Sequence, residues 1–255
     1  RSWFKPSAAV KVPDEPWQPR GVTQASSAVT FMLPVAFDNG DPLAEAFRDF
    51  LVRPEFPCVG AKAALARGQI QFLVARDMTS AWDDLRIYPA LFNFAELYRA
   101  QPALFQSFVV LFRGPTGLDE AQYETCLWER LQSLTDKDDW HGQAHDARVS
   151  ADPADPHFSL SFGNEAFFVV GLHPNASRPA RRFSHPALVF NPHDQFEKLR
   201  EENLYKGLRE KITRRDEALA GSRNPMLQTF GEKSEAPQYS GRIVEDAWKC
   251  PYHRR

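Results

Sequence analysis

A single α+β domain built on a mostly antiparallel sheet is the fold the sequence predicts, and three observations carry that prediction. Five short runs rich in Phe, Val, Ile and Leu, residues 70–76, 105–112, 158–162, 166–172 and 187–190, lie between turn-forming residues. Two longer stretches, 119–135 and 192–219, repeat their apolar residues at helical spacing. The 255 residues can bury an ample core, and no linker divides the middle of the chain. Residues 29–255 are therefore read as one domain behind an extended arm, 1–28, whose prolines Pro6, Pro13, Pro16 and Pro19 are spaced too closely for a helix.

Taken in order, Asp41 is a fitting N-cap for a helix that begins at Pro42 and runs through Val52, since proline's missing N–H is no loss at a first helical position. A second helix over 59–67 ends at Gly68 and places Cys58 at its N-terminus, where free N–H groups favour a thiolate, although a small buried residue packing the helix entry fits the same position. Residues 70–76 alternate as a strand, 94–99 read as helical, and 105–112 read as a buried strand. Tyr123, Leu127, Leu131 and Leu134 mark the helix over 119–135, beside which Cys126 is expected to pack. The polar segment 136–155 reads as an exposed connection; its His141 and His145 have metal-ligand spacing, but Gly142 weakens any helix there. After the strand at 187–190, Asn191 is expected to cap a helix running to about Leu219 and closed by Gly221.

The centre of the chain is a hairpin. Residues 158–162 alternate, Gly163-Asn164 supplies the turn, and 166–172 is an uncharged run that reads as buried on both faces. Side chains repeat every second residue along a strand, so Phe167, Val169, Gly171 and His173 share one face. Gly171 is expected to leave a bare patch beside His173 where a flat ligand can approach. Arg178, Arg181 and Arg182 follow in one loop, and their planar forks suit carboxylates. A histidine beside a flat gap with arginines nearby is what a haem with two propionates requires, although a hydrogen-bonded structural His and a solvated arginine rim fit the same residues.

Residues 158–183, with Phe56-Pro57-Cys58 and the rest of 56–62 before them and the Glu245-to-His253 stretch after them, resemble the YqcI/YcgG family, over about 47–253. The resemblance implies a haem-dependent N-hydroxylase of guanidine compounds, because that family includes such enzymes of cycloserine and guanitoxin biosynthesis. L-arginine or a close derivative is the expected substrate, haem b the cofactor, and dioxygen or peroxide the oxidant, with a redox partner and a homodimer possible. On that reading His173 is the iron ligand, Arg178, Arg181 and Arg182 hold the propionates or the α-carboxylate of an arginine substrate, and Cys58 is a further haem contact. Glu165 and Asp246, with Glu245 as a third acid, are the candidates for gripping the guanidinium. A guanidinium cation has no free lone pair and a pKa above 12, so oxygen insertion calls for a cofactor rather than acid–base side chains alone.

Two rivals stay open: a haem sensor or carrier without chemistry, and a thiol enzyme using Cys58 and Cys250, which would have to meet in the fold. Three cysteines, an odd number, suit a reducing cytosol. A net charge of −2, with acids and bases mixed along the chain, argues against nucleic-acid or membrane-surface binding. No apolar run approaches the roughly 20 residues of a membrane span, so a cytoplasmic protein is expected.

Overall fold

A computed structural model describes residues 36–254. The proposed arm over 1–28 lies outside the described residues. Five strands, β1 (Ile70–Asp77), β2 (Ser107–Gly114), β3 (Leu160–Phe162), β4 (Glu165–Leu172) and β5 (Ala187–Pro192), form one sheet in the order β1-β2-β5-β4-β3. Only β1 and β2 run parallel; every other pairing is antiparallel, as the α+β reading expects. The parallel pair needs a crossover, which α3 (Asp84–Ala100) supplies, whereas β3 and β4 turn back on two residues. Gly163 and Asn164 both take positive φ, 56° and 61°, the geometry that tight hairpins select. A Cβ on Gly163 would lie 2.9 Å from the Phe92 ring, so the turn also needs glycine for close packing on α3.

Alternation along the strands divides the core into two layers. Leu73, Phe108, Val110, Phe167, Val169 and Phe190 face α3, α4 (Glu120–Trp140) and the C-terminal residues Tyr239 and Tyr252. Phe72, Val74, Val109, Leu111 and Leu172 face α1 (Pro42–Val52), α2 (Val59–Ala66) and Phe183. A sheet covered on both faces explains why its strands read as apolar runs rather than as clean alternation.

The predicted caps Asp41 and Gly221 are found, the latter at φ 74° after α6 (Tyr205–Ala220). Cys58 also caps, its sulfur accepting from the Ala61 N–H at 3.4 Å. The single helix expected after Asn191 is instead strand, then α5 (Asp194–Glu201), then α6, with a break at Asn203 in the left-handed region, φ 58°. Asn191 stays in β5 because its side chain accepts from the Ser107 hydroxyl at 2.7 Å and donates to the Phe168 carbonyl. Among the described residues no helix is long and apolar enough to cross a membrane.

Candidate functional site

Two regions hold the residues with chemistry, and they lie at opposite ends of β4. At its outlet, His173 is 1% exposed, its ring 4.2 Å from Tyr123 and nearly parallel to it. Its Nδ1 is buried with no hydrogen-bond partner, and burial pushes the imidazole pKa down to about 4. Phe167, Val169, Gly171 and His173 do share a face, but the patch at Gly171 is not bare. A Cβ there would lie 2.6 Å from both the Tyr123 hydroxyl and Leu127 Cδ1, so α4 fills the gap expected to receive a planar ligand. Gly171→Ala should destabilise the fold by about 1–3 kcal/mol in urea unfolding, because the added methyl overpacks this contact; an unchanged midpoint would mean that Tyr123 and Leu127 leave room.

The three arginines are likewise occupied. Arg178 is buried and binds Asp216 and the Ser222 carbonyl. Arg181 donates to the carbonyls of Gly171, Tyr239 and Gln238 at 3.0, 3.0 and 2.8 Å. Arg182 donates to Ala176 and Ser177. They anchor backbone and an internal acid rather than a free carboxylate pair, and α4 closes the plane beside His173. The β4 outlet as folded therefore does not fit a haem, orphaned Nδ1 notwithstanding.

The other sequence candidates scatter. Glu245 and Asp246 are exposed. Cys58 packs with the α1–α2 layer and Cys250 with the α3–α4 layer, on opposite faces of the sheet. Burial raises both thiols, that of Cys250 to about 12, so Cys58 packs the helix entry rather than standing as a thiolate, and the two sulfurs of the thiol-enzyme reading do not meet. His141 stacks on Tyr88, and His145 lies 3.2 Å from an Arg254 nitrogen. Among the described residues no group of three or more His, Cys, Asp or Glu is arranged to hold a metal ion.

Glu165 does sit in a functional-looking place, at the start of β4. The antiparallel register brings the end of β5 beside it, and the His193 N–H donates to the Ala166 carbonyl at 2.8 Å. Asp194 and α5 therefore begin next to Glu165. Beside them opens a cleft of about 410 Å³, within the size range of small-molecule sites. Arg148 and Asp194 form one wall, His193, Glu197 and Arg200 a second, and His157, Phe230 and Gly231 a third.

Electrostatically the cleft is mixed. Arg148 donates to both Asp146 oxygens, at 2.5–3.1 Å, and to Glu165 at 2.8 Å, with Asp194 4.0 Å away. Burial raises the Glu165 carboxyl, whereas at Asp146 the bonds from Arg148 outweigh burial and hold the acid below its usual range. His193 contacts Glu197 at 3.2 Å, and burial lowers its pKa. The Tyr98 hydroxyl donates to Asp194.

His157 is the exposed imidazole of this group. Its Nδ1 lies 3.3 Å from the Asp155 carboxylate, so with Nδ1 as donor the other nitrogen, Nε2, presents its lone pair. Nε2 is 3.5 Å from where a Cβ on Gly231 would stand, and Phe230 meets the ring edge-on. An imidazole oriented by a carboxylate beside an aromatic wall is the kind of ligand a haem iron takes, whereas the cleft's guanidiniums, Arg148 and Arg200, are already paired with acids. Sequence reasoning passed over His157, His193 and Arg148. The one local signal was that both cleft histidines follow a proline, in Pro156-His157 and Pro192-His193.

No curated protein and no solved structure matches the chain. The model of the YqcI/YcgG family does match it, over residues 47–253, which take in both ends of β4 and every wall of the cleft, and the chain belongs to that family.

Proposed function

We propose that the chain is a haem-dependent oxidoreductase that adds oxygen to a guanidine nitrogen, that of L-arginine or a close derivative, and that it does so in the cleft at the Glu165 end of the sheet. Two things support this reading: the family, which includes guanidine N-hydroxylases, and the cleft's pairing of an open imidazole with buried carboxylates. The observation that carries it is His157, an exposed imidazole on the cleft wall whose Nδ1 lies beside the Asp155 carboxylate.

In this reading His157 Nε2 would hold the iron and Asp155 would fix the ring's orientation. Arg200, stacked on Tyr205 and Phe230 with centroid distances of 4.4 and 5.6 Å and paired with Glu197, would have to exchange that acid for a propionate to hold the macrocycle's edge. Bound haem supplies the oxygen activation that no side chain can. The substrate N–H becomes N–OH. With dioxygen, the second oxygen atom leaves as water and an external donor supplies two electrons; with peroxide, water leaves and no reductant is consumed. The protein's own part is to exclude water, point the guanidinium at the metal and match its charge with acids.

The test is mass spectrometry of L-arginine and a panel of guanidines incubated with haem-loaded protein, once with reductant and air and once with hydrogen peroxide. A gain of one oxygen that disappears in the His157→Ala protein is the expected result. Haem binding with no oxygen gained on any guanidine would overturn the catalytic reading and leave a haem carrier or sensor.

A further inference from the structure

Arg148 carries a guanidinium into the very acids that a guanidine substrate would need. From this we infer that Asp146, Glu165 and Asp194 form the guanidinium subsite of the cleft, and that the Arg148 side chain is its internal occupant, displaced when substrate binds. The inference rests on the proposed guanidine chemistry for its substrate class, but the geometry stands apart from haem.

Four observations place the arginine in that role. Glu165 is 2% exposed, and Arg148 is its only side-chain partner among the described residues, so the position is one that a cation fills. The fork geometry is that of substrate recognition: nitrogens Nε and Nη2 meet both oxygens of Asp146, and Nη2 also reaches Glu165. The occupant, by contrast, stands on the open side of the cup. Arg148 lies in the segment between α4 and β3, its side chain is 52% exposed, and it lines the open cleft. Finally, the acids remain in place without it. Asp146 also accepts from the Ala166 N–H at 2.9 Å, Asp194 accepts from Tyr98 and pairs with Lys198 at 2.9 Å, and Glu165 is set by β4 itself.

The side chain can thus swing toward solvent while the Arg148 backbone N–H keeps its 2.9 Å bond to Asp146, and the emptied cup accepts a second guanidinium of the same shape. Specificity follows from the fork. A primary ammonium offers a point charge where two carboxylates expect planar paired donors.

Binding measurements on the purified full-length chain, without haem, decide the matter. Agmatine, L-arginine and methylguanidine are titrated by calorimetry or protein-detected NMR, with putrescine as the ammonium control. The wild type should bind agmatine and arginine in preference to putrescine. Arg148→Ala, freed of the internal competitor, should bind them about tenfold tighter, and adding Glu165→Gln should remove that gain. If Arg148→Ala does not fold, Arg148→Gln, which keeps bulk but loses the charge, takes its place. Wild type that binds no guanidine, even where methylguanidine restabilises the alanine variant, would make Arg148 a structural ion pair and overturn the inference. Equal gains for putrescine would overturn it too. Because haem is left out, these outcomes are separate from the fate of the haem assignment.

Discussion

Arg181→Ala should destabilise the protein by about 3–5 kcal/mol in guanidinium chloride unfolding, while haem binding by whatever folded protein remains should be unchanged. The reason is that Arg181 joins β4 to the segment around Tyr239. Its guanidinium satisfies the carbonyls of Gly171, Tyr239 and Gln238, and its own carbonyl accepts from the His173 N–H at 3.0 Å. Gly241 makes room for the side chain, since a Cβ there would lie 3.0 Å from Arg181 Cδ. Truncation removes all three bonds; the Tyr239 carbonyl keeps the Gly171 N–H at 2.7 Å, and each acceptor that stays buried and unpaired costs about 1–3 kcal/mol. A propionate anchor would behave in the opposite way, with nearly wild-type stability and weakened haem. Arg181→Lys keeps the charge but not the fork, so it should recover only part of the loss.

His173 should give the protein a pH-dependent stability that its replacement by phenylalanine flattens. In the folded state burial keeps the imidazole neutral down to about pH 4, against roughly 6.5 in the unfolded chain. Between those values the unfolded chain takes up a proton that the folded chain resists. Stability therefore rises with pH from about 4 to 6.5 and gains nothing further from this group above that window. The full span corresponds to about 3 kcal/mol. Glu120 and Asp119 oppose the shift and Arg181 reinforces it. His145, His185 and His193 are also held low by burial, and raised or lowered carboxylates add their own slopes, so the informative quantity is the difference between proteins. His173→Phe, which keeps an aromatic ring against Tyr123, should lose less stability than wild type between pH 6.5 and 4.5. Parallel pH profiles for the two would show that His173 is not held neutral.

Local geometry was legible in the chain wherever neighbours in sequence decide it. Asp41-Pro42 announced α1, Gly163-Asn164 announced the hairpin, and period-two spacing placed Phe167, Val169, Gly171 and His173 on one face. What lies opposite that face was not legible. Tyr123 and Leu127 arrive from α4, more than forty residues away, and nothing near Gly171 says that a hydroxyl and a methyl will fill its gap. The arginine loop misled for a related reason: guanidiniums suit carboxylates, but they suit buried backbone carbonyls equally well, and only the fold says which are near. The same limit hid the cleft, since Arg148 and His157, His193, and Phe230 come from three segments far apart in the chain. Of the sequence candidates, Glu165 alone falls beside it, through the antiparallel register of β4 and β5.

Absorption spectroscopy of haem titrated into wild type, His157→Ala and His173→Phe tests the central claim most directly. His173→Phe should reproduce the wild-type Soret band and affinity, whereas His157→Ala should shift or lose the band while folding normally, because His157 is exposed and its loss opens no core cavity. The reverse pattern, an unaltered spectrum in His157→Ala and a lost one in folded His173→Phe, would contradict the account and return the iron to the end of β4.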